Sequence, residues 1–515
     1  MDYLAADMCI MHIQEAAMEV ESSIDVLICG AGAAGLTLAI DLARRGVSFR
    51  LIDALDQPFA GSRGKGLQPR TLEVFEDLGM IDPIMAGGTL YPPQRLHRDD
   101  GGQDESQSFA VTAPTAREPY RTPWLIPQFR TEAVMRERLA ALGHRPRYGC
   151  RLDGFDQDAG GVTARLVGAN SGETLRCRYL IAADGGRSLV RHALGVGFPG
   201  KTLGIRAIVA DIGLDGLDRD AWHRFNEGVM DRQVGLCPLP HTELFQLQAP
   251  IPLEGEIDLS VAGLQAFLAD RIGGRGLTVR AVAWASAYSM NARLADAYRV
   301  GRVFLIGDAA HIHPPTGGQG LNTSVQDAYN LGWKLGAVLD GAPVDLLDTY
   351  EDERRPIAAG MLGLATDLLK KAQAGDMRRG REVHQLDLGY PGSSLSLSRP
   401  VRSMGLRAGD RAPDARLLGA DGRPLRLFDL LAGPHWTLMS LERGPAGLPE
   451  PRQGLHVHTI GPGGDLQDPE DQFAKACGLD AGDRLLVRPD GYVGAIVAAR
   501  DLGGLDPYLA RVGLA

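Results

Sequence analysis

Three uninterrupted apolar runs stand out along the chain, and each ends at glycine or aspartate. Asp25-Val26-Leu27-Ile28-Cys29 leads into Gly30-Ala31-Gly32-Ala33-Ala34-Gly35, Tyr179-Leu180-Ile181-Ala182-Ala183 into Asp184-Gly185-Gly186, and Arg302-Val303-Phe304-Leu305-Ile306 into Gly307-Asp308. Runs of this length predict strands buried on both faces of a parallel sheet. Three polar turns should then share the carboxyl edge of that sheet, where ligands of such sheets bind.

The first run carries more information than the others. A helix over Leu36 to Arg45 and a second strand, Phe49-Arg50-Leu51-Ile52, follow it and close on Asp53. Strand, glycine turn, helix, strand and acid in this order form a dinucleotide-binding fingerprint in its structural setting. Gly30 permits the tight turn, and Gly32 lets backbone approach a diphosphate at the positive helix N-terminus, beside Ala33 and Ala34. Gly35 lets helix and strand pack closely, and Asp53 is placed to accept from a ribose hydroxyl. No second fingerprint of this kind occurs, so one adenine-dinucleotide site is expected.

Periodicity elsewhere predicts the remaining elements. A helical pattern over Thr71 to Leu78 stops at Gly79, residues 98 to 119 read as a polar loop or hairpin, and Thr131 to Leu142 is an amphipathic helix. Arg151 to Arg178 reads as a strand meander turning at Ala169-Asn170-Ser171-Gly172. Residues 197 to 282 alternate short strands with Gly and Pro turns, which predicts an inserted antiparallel sheet. A long helix from about Asn322 to Leu339 and further helices through Leu369 come next. Residues 389 to 413 read as a linker, and residues 414 to 515 as a small α/β domain with strands at Trp436 to Leu441, Leu455 to Ile460 and Leu485 to Val487. A hairpin turn at Asp490-Gly491 precedes its last strand, Tyr492 to Val497.

The expected organisation is a disordered extension over 1–22, a dinucleotide domain in two pieces (23–196 and 283–388), a sheet domain over 197–282, a linker over 389–413 and a C-terminal domain over 414–515. With 515 residues, 44% hydrophobic and 23% charged, the chain has the composition of a multidomain globular enzyme. A net charge of −10 argues against nucleic acid as a partner. No apolar run approaches the roughly 20 residues that span a bilayer. The six cysteines, Cys9, Cys29, Cys150, Cys177, Cys237 and Cys477, form no CxxC pair and no metal-ligand spacing, which fits a reducing cytoplasm. The chain is also compatible with a homodimer.

A second signature runs from Gly301 to Asn322, GRVFLIGDAAHIHPPTGGQGLN. Asp308 offers a carboxylate to a polyol, and Gly317-Gly318-Gln319-Gly320 exposes backbone N–H groups where a helix starts. Such a helix start carries roughly +0.5 of a charge, which suits a reduced, anionic isoalloxazine. A pyridine dinucleotide enzyme has no use for this stretch, so the residues select a flavin. Within the compact turn, His311 and His313 are expected to donate to backbone carbonyls.

Taken together, GAGAAG with Asp53, Ala183-Asp184-Gly185 and the Gly307-Asp308 block resemble the class A flavoprotein aromatic hydroxylases, specifically the phenol and polyketide branch. The likeness covers most of residues 24 to 360, and residues 404 to 515 resemble that branch's C-terminal thioredoxin-like domain. The implied fold class is α/β: a Rossmann-type FAD-binding domain, an inserted antiparallel substrate sheet and a thioredoxin-like domain. The implied cofactors are FAD and a transient NADPH or NADH. The implied reaction adds O2 at the flavin C4a and transfers one oxygen to a phenolic or polycyclic aromatic ring. Arg63, Gln128, Asp184, Gly307, Asp308, Pro315, Gly318, Gly320, Leu321 and Asn322 then complete the FAD site. Backbone at His313, Pro314 and Pro315 covers the reactive face of the flavin.

The inserted sheet should supply the substrate pocket through Arg206, His223, Phe225, Cys237, Pro238, His241, Gln246 and Gln248, joined by Tyr288 and Met290 from the returning strand. Cys237 reads as a small buried hydrophobe, and Trp222, Trp284 and Trp333 as core. No Arg or Lys cluster marks the pocket, which favours a neutral phenol or polycyclic aromatic. Baeyer-Villiger or epoxidising oxygenation, and a flavin-stabilised protein without catalysis, are the competing readings.

Overall fold

The computed structural model describes residues 21–168, 172–273, 276–373, 378–401, 405–441 and 448–514. The expected extension over 1–22, except its last two residues, and the turn at Ala169-Asn170-Ser171 lie outside the described residues.

The three apolar runs pair side by side in parallel. Strand Glu21–Cys29 lies between Gly172–Ala182 and Phe49–Ile52, and Val303–Leu305 adds to the far side of Gly172–Ala182. Register aligns their ends, with Cys29 opposite Ala182 and Ala182 opposite Leu305. The three polar turns therefore leave one sheet edge at one level. Helix Ala33–Arg44 covers one face and packs on helix Gly320–Leu339, whose residues are nearly all buried. The meander Arg151–Gln157 and Val162–Val167 extends the sheet antiparallel to Gly172–Ala182.

The second sheet has eight strands, and its core is Thr278–Leu294, Gly200–Asp215, Leu244–Ile251, Val234–Pro238 and Trp222–Phe225. It is wider than the 197–282 span expected from sequence. The hairpin Gln94–His97 and Gln103–Ser106 adds at one edge, parallel to Trp222–Phe225, and the 17-residue strand Thr278–Leu294 continues until it meets His311–Ile312. A loop or hairpin is expected over 98 to 119, but the pairing starts at Gln94, and its place in this sheet is not legible because Gln103–Ser106 is a wholly exposed edge strand with no apolar alternation. One sheet face packs Ile208, Phe225, Phe245 and Leu247 under helix Val261–Ile272, and the other faces the dinucleotide domain.

The C-terminal unit is a mixed eight-stranded sheet flanked by helices. The described residues of the segment 389–413 are part of it rather than a linker. Leu397–Arg399 pairs in parallel with Val493–Val497, Leu395 is fully buried, and the Tyr390 ring lies 4.5 Å from that of Tyr492. Few apolar residues mark this stretch, but Tyr390, Leu395 and Leu397 all pack into the unit. A buried charge cluster joins the unit to the dinucleotide domain: Arg488 donates to both Glu353 oxygens at 2.7 and 2.9 Å, and Lys334 Nζ donates to Glu353 Oε2 at 2.8 Å. Asp490 accepts from Arg488 and from Trp333 Nε1. Two cations and two carboxylates balance there, as burial requires. Among the described residues no helix is long and apolar enough to cross a membrane.

Candidate active site

Gly30 has a φ of +109°, and a Cβ on it would stand 2.1 Å from the Ala183 carbonyl oxygen. A Cβ on Gly35 would stand 1.9 Å from the Gly30 oxygen. Packing therefore excludes any side chain at either position. Gly32 differs: the nearest atom to its Cβ position is Glu132 Oε1 at 3.9 Å, so this glycine leaves open space before the helix N-terminus. Asp53 braces the turn, its Oδ2 accepting from Ala31 N at 2.7 Å and its Oδ1 from Leu55 N at 2.8 Å. Sequence reasoning assigned this carboxylate to ribose alone, but it also holds the loop.

The third turn meets the first. Gly307, with φ +59°, packs against Ala34, and its N–H donates to Asp327 Oδ2 at 3.2 Å. Asp308 is solvent-accessible although deeply surrounded, so it faces a cleft. Burial raises its carboxyl pKa, opposed by the nearby His311 and Arg63 charges. Gly317 and Gly318 are both left-handed, and Pro315 and Gly318 are exposed. Gly320 has open space around its Cβ position, and Leu321 approaches the corresponding position at Gly64.

Two of the expected cofactor residues are occupied in holding loops. Asn322 accepts from Gln68 N and donates to the Gly66 and Gly318 carbonyls, clamping the segment after Arg63 onto the glycine turn. Gln128 accepts from Gly64 N at 3.2 Å and donates to Glu132. Asp184 caps the next helix through Val190 N and keeps Oδ1 unpartnered.

Sequence reasoning missed Glu132, Arg136 and Tyr148. Burial raises the Glu132 carboxyl pKa, and the Arg136 Nη1 and Tyr148 hydroxyl atoms are buried without partners near Asp53. Gln128, Glu132 and Arg136 recur every fourth residue on helix Gln128–Ala141, a spacing that could have revealed them. The open space at Gly32, the accessible Asp308 and these unpartnered polar atoms fit the polar parts of FAD.

His311 and His313 do not bond backbone carbonyls as expected. His313 Nε2 is hydrogen-bonded to His311 Nδ1 at 2.9 Å, His311 Nε2 to Asp327 Oδ2 at 2.5 Å, and Arg354 Nε donates to Asp327 Oδ1 at 2.8 Å. Asp327 and Arg354 lie on helices that pack together, and their fully buried side chains offered the histidines charged partners. Burial drives the His313 pKa well below the usual histidine range, with the His311 charge adding to the effect, so His313 is neutral at pH 7.

A cavity of about 270 Å³ lies between the sheet and the Pro315-Thr316-Gly317-Gly318 turn. Tyr288, Met290 and Gln248 line it. Seven other expected substrate residues do not. Arg206 donates outward to the Pro252 and Gly255 carbonyls, and His223 is buried against His97 and Asp218. Phe225 stacks on His97 at 4.3 Å and belongs to the core under helix Val261–Ile272. Cys237 is fully buried, its thiol pushed up to about 11 by burial, and Pro238 follows it in the strand. Gln246 is buried and bonds the Ser62 carbonyl and Lys65. His241 lies near the Gly88 carbonyl. The period of two explains part of the division: Trp222 and Arg224 face the cavity while His223 and Phe225 face away.

Two expectations about the pocket need correction. Trp222 lines the cavity and is not core, and Trp284 packs beside Phe59 on the same sheet face; only Trp333 is fully buried. The lining is also cationic, with Arg63, Lys65, Arg224 and Arg379 and no carboxylate among the described lining residues. Arg63 and Lys65 share one loop, while Arg224 and Arg379 come from distant segments, so no local cluster announced all four.

The family described as FAD binding domain matches residues 23–365. The chain is 41% identical over 493 residues to a flavin-dependent monooxygenase of Mycobacteroides abscessus, covering 95% of this chain and 99% of that one. It is 33% identical to a 12-dehydrotetracycline 5-monooxygenase/anhydrotetracycline 6-monooxygenase of Streptomyces rimosus, covering 91% and 94%. Its fold matches an aklavinone-11 hydroxylase solved with FAD and aklavinone, with a TM-score of 0.79, 29% identity and coverage of 95% and 98%. On the strength of the two joined turns and these matches, the chain belongs to the FAD-binding-domain family of flavin-dependent monooxygenases.

Proposed function

We propose that the enzyme hydroxylates a phenolic, fused-ring aromatic substrate, using NADPH or NADH and O2. One observation carries the reading: a single cavity is walled on one side by Pro315 to Gly318 and on the other by the antiparallel sheet. Relatives and neighbours named for anhydrotetracycline and aklavinone favour fused rings, and the name hydroxylase favours attack on a ring over Baeyer-Villiger insertion or epoxidation. Relatives named as monooxygenases also weigh against a flavin-stabilised protein without catalysis. The reading includes a reducing cytoplasm, where the buried thiols of Cys29, Cys150, Cys177, Cys237 and Cys477 stay reduced.

FAD, when bound, supplies the reduction and oxygen-transfer chemistry. The Gly30 to Gly35 turn would hold its diphosphate and Asp308 its polyol, and the N–H groups at Gly318 to Gly320 would face its ring. The chain's own tasks are to orient the substrate and keep water away. Tyr288, Met290 and Trp222 give the cavity flat or flexible apolar walls. Pro315 and Gly318 offer a surface without side-chain bulk. Behind that turn, Asp327 and His311 hold His313 in place.

The test is NADPH oxidation by the purified, FAD-loaded enzyme against a panel of phenols and hydroxylated fused-ring aromatics, with the product connectivity read by NMR. We expect oxidation stimulated by at least one ligand and a product bearing a new ring hydroxyl. Tight FAD with oxidation indifferent to every ligand, or oxygen inserted into a C–C bond, would contradict the proposal.

A further inference from the structure

Lys65 stands at the inner end of the cavity, 8% exposed. Its Nζ donates to Gln246 Oε1 at 2.6 Å and lies 4.4 Å from the centre of the Trp222 ring. Gln248 Nε2 donates to the same Gln246 oxygen at 3.0 Å, so this oxygen is saturated from two sides. An ammonium has three donors, yet Gln246 is its only hydrogen-bond acceptor among the described residues, and no carboxylate pairs with it.

The groups facing Lys65 are Asp211, Cys237 and Arg224, and the Tyr91 hydroxyl lies at its backbone oxygen. Asp211 is the nearest acid, but it stands beyond ion-pair distance and lies against Ser62; burial pushes it up to about 6, opposed by Ser62 and by the Lys65 charge. Cys237 is held as a thiol by burial, and Arg224 adds positive charge. Burial lowers the Lys65 pKa. A desolvated ammonium at the end of an all-cationic cavity costs free energy that an anionic ligand would recover.

Resting on the aromatic-hydroxylase reading above, we propose that the cavity takes its substrate as an ionised phenol or enol, with the oxyanion accepting from Lys65 Nζ. The hydroxyl proton leaves to water as the ligand binds, and no other bond changes in this step. A single point-like ammonium suits a single oxyanion, whereas a carboxylate is better matched by the fork of an arginine. Held as its anion, the ring is richer in electrons and more open to electrophilic oxygen.

The test uses the FAD-loaded enzyme with 2-hydroxyanthraquinone, its 2-methoxy ether and anthraquinone-2-carboxylate, followed by difference absorbance between pH 6 and 9. The bound hydroxyl should titrate at least about one pH unit below the free ligand, and Lys65→Met should abolish that shift and weaken binding about tenfold at pH 8. Lys65→Arg should keep the shift. Binding of the methoxy ether, unchanged in Lys65→Met, shows that the cavity is intact in the variant. A bound hydroxyl that titrates like the free one, equal binding by both variants, or a Lys65 dependence confined to the carboxylate would overturn the proposal alone. Failure of both the hydroxy and methoxy ligands to bind the unmodified enzyme would overturn the aromatic-cavity reading and the proposal with it.

Discussion

Gly307 packs against Ala34: a Cβ placed on Gly307 would stand 3.1 Å from the Ala34 Cβ and 3.0 Å from Ser324 Oγ. This contact joins the glycine turn of the first strand to the turn after the third. The fingerprint that opens the chain and the signature that follows the inserted sheet are thus two sides of one cleft.

Gly307→Ala should therefore destabilise the protein by about 1–3 kcal/mol, because a left-handed backbone and a tight contact coincide there. Gly320→Ala, with open space around it, should change stability by less than about 1 kcal/mol. Urea unfolding of the two variants checks the contrast. Equal losses would mean that the contact at Gly307 carries no weight.

The ion cluster under the C-terminal unit gives a second prediction. Arg488→Met leaves Glu353 with Lys334 and strands Asp490, so it should cost about 3–5 kcal/mol. Calorimetry should show a lower melting temperature for the whole protein. A loss confined to a separate C-terminal transition would contradict a welded interface.

Asp211→Asn should be stabilising, but only away from acid pH. The folded-state pKa is raised to about 6 from an ordinary value near 4, so below about pH 4 the group is neutral in both states and contributes no difference. As pH rises through about 6 the folded protein bears a buried carboxylate that the unfolded chain solvates freely. The Asn variant should gain about 2 kcal/mol at pH 8 and nothing at pH 4. Unfolding curves at the two pH values decide this, and a pH-independent difference would contradict it.

His313 works in the opposite direction. Its folded-state pKa lies well below the unfolded value of about 6.5, so below that pH the unfolded chain binds a proton that the folded one refuses. Stability should fall by up to about 1.4 kcal/mol per pH unit from this group as pH drops below about 6.5. His313→Gln should flatten that slope between pH 6.5 and 5. An unchanged slope would mean that another group sets it.

Much of this architecture could be read from the sequence because its signals are local and periodic. The runs ending at Cys29, Ala183 and Ile306 were apolar enough to mark buried strands, and their glycine and aspartate ends marked the cleft. The substrate cavity was far less legible. Lys65, Arg224 and Arg379 converge from three elements, and the face on which a strand residue lies follows from a register that no local pattern fixes. For the same reason Phe225 and Cys237 were assigned to the pocket although the sheet turns Phe225 into the helix-covered core and buries Cys237 completely. The exposed Gln103–Ser106 strand and the sparsely apolar 389–413 segment carried too little hydrophobic signal to be assigned to their sheets.

The most direct measurement is a fluorescence titration of FAD onto apoprotein carrying Gly32→Val. Gly32 has an ordinary φ of −78° and no atom closer than 3.9 Å to its Cβ position, so the fold should tolerate valine. The side chain would fill the space assigned to the diphosphate. We expect the apoprotein to melt as the unmodified one does while FAD affinity drops at least about tenfold, a loss of about 1.4 kcal/mol or more. Unchanged FAD affinity in a folded Gly32→Val protein would contradict the placement of the cofactor across these two turns.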